Sequence, residues 1–274
     1  MTNLEILECK SIDLIRAASK QHDYVVSYSG GKDSEVVLHL FRKAKVPFTI
    51  IYRSTTIDQP GTIKHVLSRG AMMLRPKRSF FELIRLKGLP SFARRFCCTA
   101  LKESYIAPYL ALGIRRAEST KRALRYTEPE VCRIYTKTKH THQLLPLLYW
   151  QDSDVRDYIL QDGVQCHPIY YDATGKFCAS RRLGCMGCPL PWNRSLQDFE
   201  EYPLLVRQWC RNLRVFRDTH PHSEAIREFA NEFDQFANNL FYHSYDDFHA
   251  ATYGLWSINW KEYLEDRFRV NLNY

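Results

Sequence analysis

Residues Asp23–Lys45 read DYVVSYSGGKDSEVVLHLFRKAK, and their pattern is that of a strand, a tight loop and a helix. The apolar run Tyr24–Tyr28 has the length of a buried strand. It runs into SGGKDS at Ser29–Ser34, and an amphipathic segment follows to about Lys45. Gly30 and Gly31 let the backbone approach an anion closely. The first amides of the helix, with its dipole, then form an anion site. Lys32 adds a positive charge, and Ser29 and Ser34 add hydroxyl donors. Asp33, at the helix start, is placed to cap it or to help hold a metal. The spacing is not that of the Walker loop, G-x-x-x-x-G-K-[ST].

Outward from this stretch, strands and helices alternate. A helix is expected over residues 3–20, and a second strand at PFTIIYRS. A helix opened by Pro60 follows, then a short strand at Ala71–Leu74 and a helix at SFFELIRLKG. Such alternation predicts an α/β fold with a parallel twisted sheet and helices on both faces. Ligands of these sheets sit at the carboxyl ends of the strands, where SGGKDS, Thr55–Asp58 and Gly113–Ser119 would fall. Residues 1–198 are read as this domain and 199–274 as a helical, aromatic-rich region. There Phe216, Phe229, Phe233, Phe236 and Phe241 have the spacing of a packed face rather than of base-stacking residues. Trp256, Trp260 and Tyr263 follow in a basic-aromatic end, a surface suited to a homodimer or a partner.

The chain has 274 residues, enough to bury a core without disulfides, with 45% hydrophobic and 25% charged residues. It holds no run of eighteen apolar residues, and its first twenty residues do not have the pattern of a signal peptide. No membrane span and a cytoplasmic location are therefore expected. The net charge is +9, which favours a polyanionic or nucleotide partner. The excess is clustered at Arg75, Lys77, Arg78, Arg85, Lys87, Arg94 and Arg95, and again at Arg115, Arg116, Lys121, Arg122 and Arg125.

SGGKDS resembles the PP-loop of ATP pyrophosphatases, which release pyrophosphate from ATP and leave an adenylylated intermediate. It is joined by RRFCCTALKE (Arg94–Glu103), GIRRAESTKRA (Gly113–Ala123) and RRLGCMGCPL (Arg181–Leu190). The four together resemble the phosphoadenosine-phosphosulfate reductase family of the PP-loop superfamily. TTIDQPGTIKHV (Thr55–Val66) looks like its second nucleotide-side loop and PLLYWQDSDVRDYI (Pro146–Ile159) like its post-strand helix. The resemblance covers roughly residues 20–195 and implies an adenine nucleotide α-hydrolase-like fold. It puts Ser29, Gly30, Gly31, Lys32, Asp33 and Ser34 around the ATP phosphates. Gly113, Arg115, Glu118 and Ser119 match the family's G-x-R-x-x-E-S loop. There the arginine is expected to meet phosphate and the acid to help hold Mg²⁺ or orient groups. Lys32, Asp33, Arg115 and Glu118 are the catalytic candidates, in a chemistry made largely of positioning and charge neutralisation.

Nine cysteines, an odd number without an export signal, argue against a disulfide scaffold. Cys97–Cys98 with the C-x-x-C pair Cys185 and Cys188 resembles the 4Fe-4S site of adenosine-5′-phosphosulfate reductases. Tetrahedral zinc, drawing on Cys178, Cys185, Cys188 and His167 or Cys166, and a redox or persulfide-carrying C-x-x-C pair remain alternatives. The run Cys178, Cys185, Cys188 also resembles the cysteine cluster of DNA phosphorothioation sulfurtransferases. Cys178 then stands either as a ligand in place of Cys97 or Cys98 or as the sulfur carrier. Cys9, Cys132 and Cys210 read as structural, and His140 and His142 as surface residues.

Reductases of the family carry a nucleophilic cysteine near the C-terminus in E-C-G-[LI]-H. Here the last cysteine is Cys210 in RQWCRNL and the chain ends FRVNLNY. That departure, with the intact pyrophosphatase loop, points to ATP-dependent activation followed by sulfur insertion. The resemblance implies DNA backbone phosphorothioation, with a cysteine desulfurase as sulfur donor. The alternatives are tRNA thiolation, a sulfonucleotide reductase with a relocated cysteine, and a non-catalytic iron–sulfur nucleotide-binding module.

Overall fold

The computed structural model describes residues 1–103, 107–136, 139–190, 192–242, 244–253 and 257–274. Trp256 therefore lies outside the described residues. The chain divides into two compact units. The first comprises Met1–Ser54, Asp58–Arg75 and Glu103–Gly184, the second Thr55–Ile57, Pro76–Lys102 and Cys185–Tyr274. The division is interleaved, where the sequence suggested one cut after residue 198.

In the first unit, strands β1 (Tyr24–Ser27), β2 (Phe48–Arg53), β3 (Met72–Leu74), β4 (Tyr109–Ala111), β5 (Glu130–Thr136) and β6 (Lys139–Leu144) form one sheet. Their order is β3-β2-β1-β4-β6-β5. All neighbours are parallel except β5 and β6. This hairpin was not anticipated. After β3, Cys98–Lys102 form a short π-helical turn and Tyr109–Ala111 the strand β4, while 104–106 lie outside the described residues. Tyr109 stacks between His22 and His142, and its partner residues on β6 fix it in the sheet.

Helix α1 (Asn3–Ser19) opens with a capping box, Thr2 and Glu5 exchanging backbone contacts. Helix α2 (Lys32–Ala44) buries Val36, Val37, Leu40, Phe41 and Ala44, the 3.6-residue periodicity of a core-facing helix. These side chains join Ile15, Val26, Leu144, Trp150 and Tyr158 in a core shared with α1 and with α6 (Asp152–Gln161). Helix α3 (Thr62–Ser68) begins after Gly61 rather than at Pro60, and α5 (Thr120–Arg125) is a single short turn. The chain leaves β1 toward β2 and β3 on one side, then returns to β4 on the other. The loops after β1 and β4 therefore leave neighbouring carboxyl ends at a topological switch point.

The second unit holds α4 (Phe80–Lys87), α7 (Trp192–Glu201), α8 (Pro203–Thr219), α9 (Glu224–Arg227), α10 (Glu232–Phe241), α11 (Tyr245–Tyr253) and α12 (Trp260–Phe268). Its core gathers Phe80, Ile84, Phe199, Trp209, Leu213, Phe216, Phe236, Leu264 and Phe268. Phe199 meets Trp209, Phe236 and Phe268 edge-on, a favoured aromatic geometry. Phe216 and Phe236 are buried, and Phe229, Phe233 and Phe241 pack against the apolar clusters. They are core, as their spacing suggested. Among the described residues, no helix is long and apolar enough to cross a membrane.

Candidate functional site

The loop between β1 and α2 is built as its composition requires. Gly30 has φ +77°, in the left-handed region that side chains avoid. A Cβ there would also stand 3.0 Å from Leu183 Cδ2. Ser34 Oγ ties the turn together: it donates to Gly31 O at 2.8 Å and accepts from Ser29 N at 3.2 Å. The Ser29 hydroxyl accepts from Gly31 N at 3.3 Å. The two serines thus set the loop's shape before any ligand arrives. Tyr170, from the segment after α6, braces it from outside, its hydroxyl accepting from Lys32 N and Leu183 N, each at 3.2 Å.

The loop after β4 lies directly against the start of α2. A Cβ on Gly113 would stand 3.0 Å from the carbonyl carbon of Asp33 and 3.2 Å from Ser34 N. Only glycine permits that backbone approach. Two residues on, the Arg115 guanidinium is 1% exposed. Its Nε donates to Asp33 Oδ1 at 2.6 Å and its second terminal nitrogen to Asp152 Oδ1 at 2.6 Å. The fork bridges two carboxylates, so Arg115 positions Asp33 and Asp152. Asp152 is held below the usual carboxylate range, chiefly by that hydrogen bond. Glu118 turns back to accept from Arg115 N at 3.1 Å and pairs with Arg122. Ser119 caps α5, accepting from Arg122 N.

Further positive charge comes from Lys32, Arg122 and Arg182. Lys32 is buried to 6% exposure and its Nζ lies 3.3 Å from Asp33 Oδ2. Arg182, quoted in the sequence only as part of RRLGCMGCPL, lies near enough to act on both Arg122 and Asp152. The carboxylates that the sequence offered to Mg²⁺, Asp33 and Glu118, are both already paired with cations.

A second polar layer next to the loop was not read from the sequence, which offered only His167 of it, as a zinc ligand. Glu35, the residue after Ser34, is 3% exposed. It accepts from Tyr28 OH and from Arg69 Nε at 3.3 Å, and meets His65 Nε2 at 2.5 Å. Burial and the Glu35 carboxylate push the Tyr28 hydroxyl well up. His167 packs edge-on to His65 at 5.3 Å. Its Nδ1 accepts from Ile169 N at 3.1 Å, so Nε2 carries the proton and faces Thr62 Oγ1 at 3.4 Å. Burial, then His65, pushes His167 down to about 4. A glutamate on the apolar face of α2 was the sequence signal for the layer.

The four cysteines singled out from the sequence all fall in the second unit. Cys97 and Cys98 interact side chain to side chain. The neighbouring Cys98, then burial, raises the Cys97 thiol far above its ordinary value, and Cys185 and Cys188 add to the rise. Burial raises Cys188, with Cys185 and Cys98 contributing. Lys102 joins them. Desolvation opposes its charge, but Cys185, Cys98 and Cys188 outweigh it and raise its pKa. Gly187 N donates to Asp198 Oδ2 at 2.9 Å, holding the C-x-x-C loop to α7. Cys98, Cys185 and Cys188 thus all act on Cys97, with an ammonium close by, and thiolates are the donor type that an iron–sulfur cluster takes. Among the described residues, no three His, Cys, Asp or Glu side chains are gathered as the ligands of a single metal ion.

The other cysteines fall elsewhere. Cys178 belongs to the first unit, its thiol 3.7 Å from Lys176 O. Cys210 is fully buried, as expected of a structural residue, whereas Cys9 and Cys132 are exposed. Burial pushes the Cys166 thiol up to about 12. Among the described residues, all nine cysteines are free of disulfides.

Several known proteins are similar to this chain. Two uncharacterized proteins of Methanocaldococcus jannaschii are each 27% identical, over 82% and 72% of this chain. The chain spans only 57% and 42% of their lengths. Sulfate adenylyltransferase subunit 2 of Shewanella putrefaciens is 27% identical, over 64% of this chain and 70% of that protein. Among solved structures, a phosphoadenylyl-sulfate reductase from Candida auris superposes with TM-score 0.45 at 16% identity, covering 66% of this chain and 98% of that one. A U34-tRNA thiolase from Methanococcus maripaludis, solved with its 4Fe-4S cluster, does so with TM-score 0.43 at 12% identity, covering 83% and 84%. The phosphoadenosine phosphosulfate reductase domain model matches residues 23–191, a stretch holding the glycine loop, the arginine-bearing loop after β4 and all four clustered cysteines, and the chain belongs to that family.

Proposed function

We propose that the protein is an ATP pyrophosphatase that adenylylates a nucleic-acid acceptor for sulfur insertion, with DNA backbone phosphate as the acceptor. The observation that carries this reading is the SGGKDS loop, pre-formed by its own serines at the start of α2 and pressed against Gly113. Helix amides and Lys32 receive the nucleotide's phosphates, and Arg122 and Arg182 add further positive charge. Arg115 holds Asp33 and Asp152 in place. An acceptor phosphate oxygen attacks the α-phosphorus of ATP. The bond from that phosphorus to the bridging oxygen breaks, and pyrophosphate leaves with the electron pair. The acceptor is now a mixed anhydride whose leaving group is AMP. The terminal sulfur of a persulfide, supplied by a cysteine desulfurase, attacks the acceptor phosphorus and displaces AMP. A second thiol then cleaves the sulfur–sulfur bond, is oxidised to a disulfide, and leaves sulfur on the phosphorus.

Cys97, Cys98, Cys185 and Cys188 would hold an iron–sulfur cluster, which supplies a site for sulfur binding or electron transfer when bound. The Shewanella relative is named for adenylyl transfer to sulfate, which supports adenylylation over reduction.

Mass spectrometry of nuclease-digested DNA and tRNA from the native host, with and without the gene, tests the reading. Loss of sulfur-bridged dinucleotides from DNA, restored by wild type but not by Lys32→Ala, supports it. Loss of a thiolated tRNA nucleoside instead moves the acceptor to RNA. Unchanged nucleic acids, with pyrophosphate release stimulated by sulfate alone, replace it with small-anion adenylylation. Sulfite release from an adenylyl sulfate without ATP replaces it with reduction.

A further inference from the structure

Between α4 and Cys97 the second unit carries a short loop with unusual chemistry. From Leu83 to Lys102 the sequence contains Arg85, Lys87, Arg94, Arg95 and Lys102 and not one Asp or Glu. The loop is anchored at both ends. Leu89 is buried, Pro90 O accepts from Asn239 Nδ2 at 3.0 Å, and Phe96 packs on the core. Its apex is a closed turn: Ser91 N donates to Arg94 O at 3.3 Å and Arg94 N to Ser91 Oγ at 3.2 Å. The Arg94 guanidinium donates back to Lys87 O at 2.6 Å, and Arg95 Nε to Phe92 O at 3.2 Å.

This ordered turn presents Phe92 at 74% exposure. The Arg95 guanidinium lies over the Phe92 ring at 5.0 Å, and Lys87 lies over Phe96 at 5.6 Å. A large exposed aromatic ring in a hydrogen-bonded turn, with a guanidinium over it and a basic segment free of Asp and Glu on either side, has the chemistry of a stacking platform for single-stranded nucleic acid. The ring offers a π-face to any base, and the guanidinium and ammonium groups meet the phosphates on either side. Cys97 follows Phe92 by five positions, a span of at most about 18 Å for extended chain. A strand held on Phe92 thus has its neighbouring nucleotides within reach of the thiols.

We infer that the Ser91–Phe96 loop is the strand-binding element of this protein. Phe92 stacks an unpaired base, and Lys87, Arg94 and Arg95 hold the flanking phosphates. The inference rests on the nucleic-acid reading above and assigns it to particular residues.

The test is fluorescence anisotropy with the full-length protein and labelled mixed-sequence oligonucleotides: single-stranded DNA, the matching RNA, and duplex DNA. Wild type, Phe92→Ala, Phe92→Trp and the double variant Arg94→Ala/Arg95→Ala are compared. Phe92→Ala is expected to weaken single-strand binding about tenfold, within the range of one lost base stack, with duplex binding little changed. Phe92→Trp retains single-strand binding. The double arginine variant lowers the slope of log K against log salt by about 0.7 for each phosphate it no longer neutralises. The loop assignment fails if the wild type binds strands and Phe92→Ala binds them equally well; the nucleic-acid reading then survives. If the wild type binds no oligonucleotide, both fall. If Phe92→Ala instead turns a dimer into a monomer with strand binding intact, the platform is a contact between copies and the inference is overturned. Stronger binding of DNA or of RNA decides which strand the loop serves.

Discussion

Arg115 Nε lies 2.6 Å from Asp33 Oδ1, and the same guanidinium reaches Asp152 Oδ1 at 2.6 Å. One buried cation thereby ties the loop after β4 to the first turn of α2 and to the first turn of α6. The arginine of the G-x-R-x-x-E-S loop keeps two acidic residues at the carboxyl edge of the sheet. Removing it leaves Asp33 beside Lys32 alone and Asp152 without its strongest partner.

Arg115→Ala is accordingly expected to cost about 3 kcal/mol of stability, the scale for breaking a buried ion pair, measured by urea unfolding. Arg115→Lys supplies one point charge for two carboxylates and recovers only part of it. A phosphate-binding arginine without a structural role would show a raised KM for ATP and an unchanged unfolding midpoint.

The contact of Gly113 with Asp33 and Ser34 is backbone against backbone, so neither side can yield as a side chain would. Gly113→Ala should push the two loops apart and lower pyrophosphate release at least tenfold. Gly30→Ala faces a different obstacle, a φ of +77°, worth about 1–3 kcal/mol of strain in a residue with a side chain. Pyrophosphate release and the thermal midpoint, measured on both variants, check the pair. Full activity in Gly113→Ala would show that the approach of the loops is dispensable.

His167 gives the stability a definite pH dependence. Folded His167 stays neutral until about pH 4, whereas the unfolded residue titrates near 6.5. Between these values the unfolded chain binds the extra proton, so stability is full above about 6.5 and falls as pH drops through the window. At about 1.4 kcal/mol per unit, the loss by pH 4 is about 3 kcal/mol. His167→Asn keeps an acceptor for Ile169 N and removes the titration. Urea unfolding at pH 7 and pH 4.5 should show a smaller difference in the variant than in wild type, and equal differences would assign the acid sensitivity elsewhere.

Cys185→Ser is expected to bleach a brown, anaerobically purified preparation and to lose most of its iron by elemental analysis. Lys102→Met should keep the colour but lower the reduction potential. An ammonium beside the thiolates stabilises the more negative, reduced state. Retained iron in Cys185→Ser would remove that residue from the ligand set, and an unmoved potential in Lys102→Met would place the ammonium too far away to matter.

Much of this was legible from residue order. The run from Tyr24 to Lys45 determined a strand, an anion loop and a helix, because burial, glycine freedom and helix periodicity are local properties. Alternation determined an α/β sheet, and the spacing of the phenylalanines after residue 199 determined a helical core. The candidate residues of the glycine loop and the four clustered cysteines were all visible as motifs. Tertiary structure alone decided what they do to one another. Arg115 faces carboxylates because the strand order sets β4 beside β1, a pairing between residues some eighty positions apart. Glu35 finds Tyr28, His65 and Arg69 through the same folding of distant segments, and Lys102 finds Cys185 and Cys188 across another. The β5–β6 hairpin and the interleaved units depend likewise on which surfaces meet. Sequence periodicity records which side of an element is buried, whereas the partner of a buried charge is set by long-range packing, which leaves no local pattern to read.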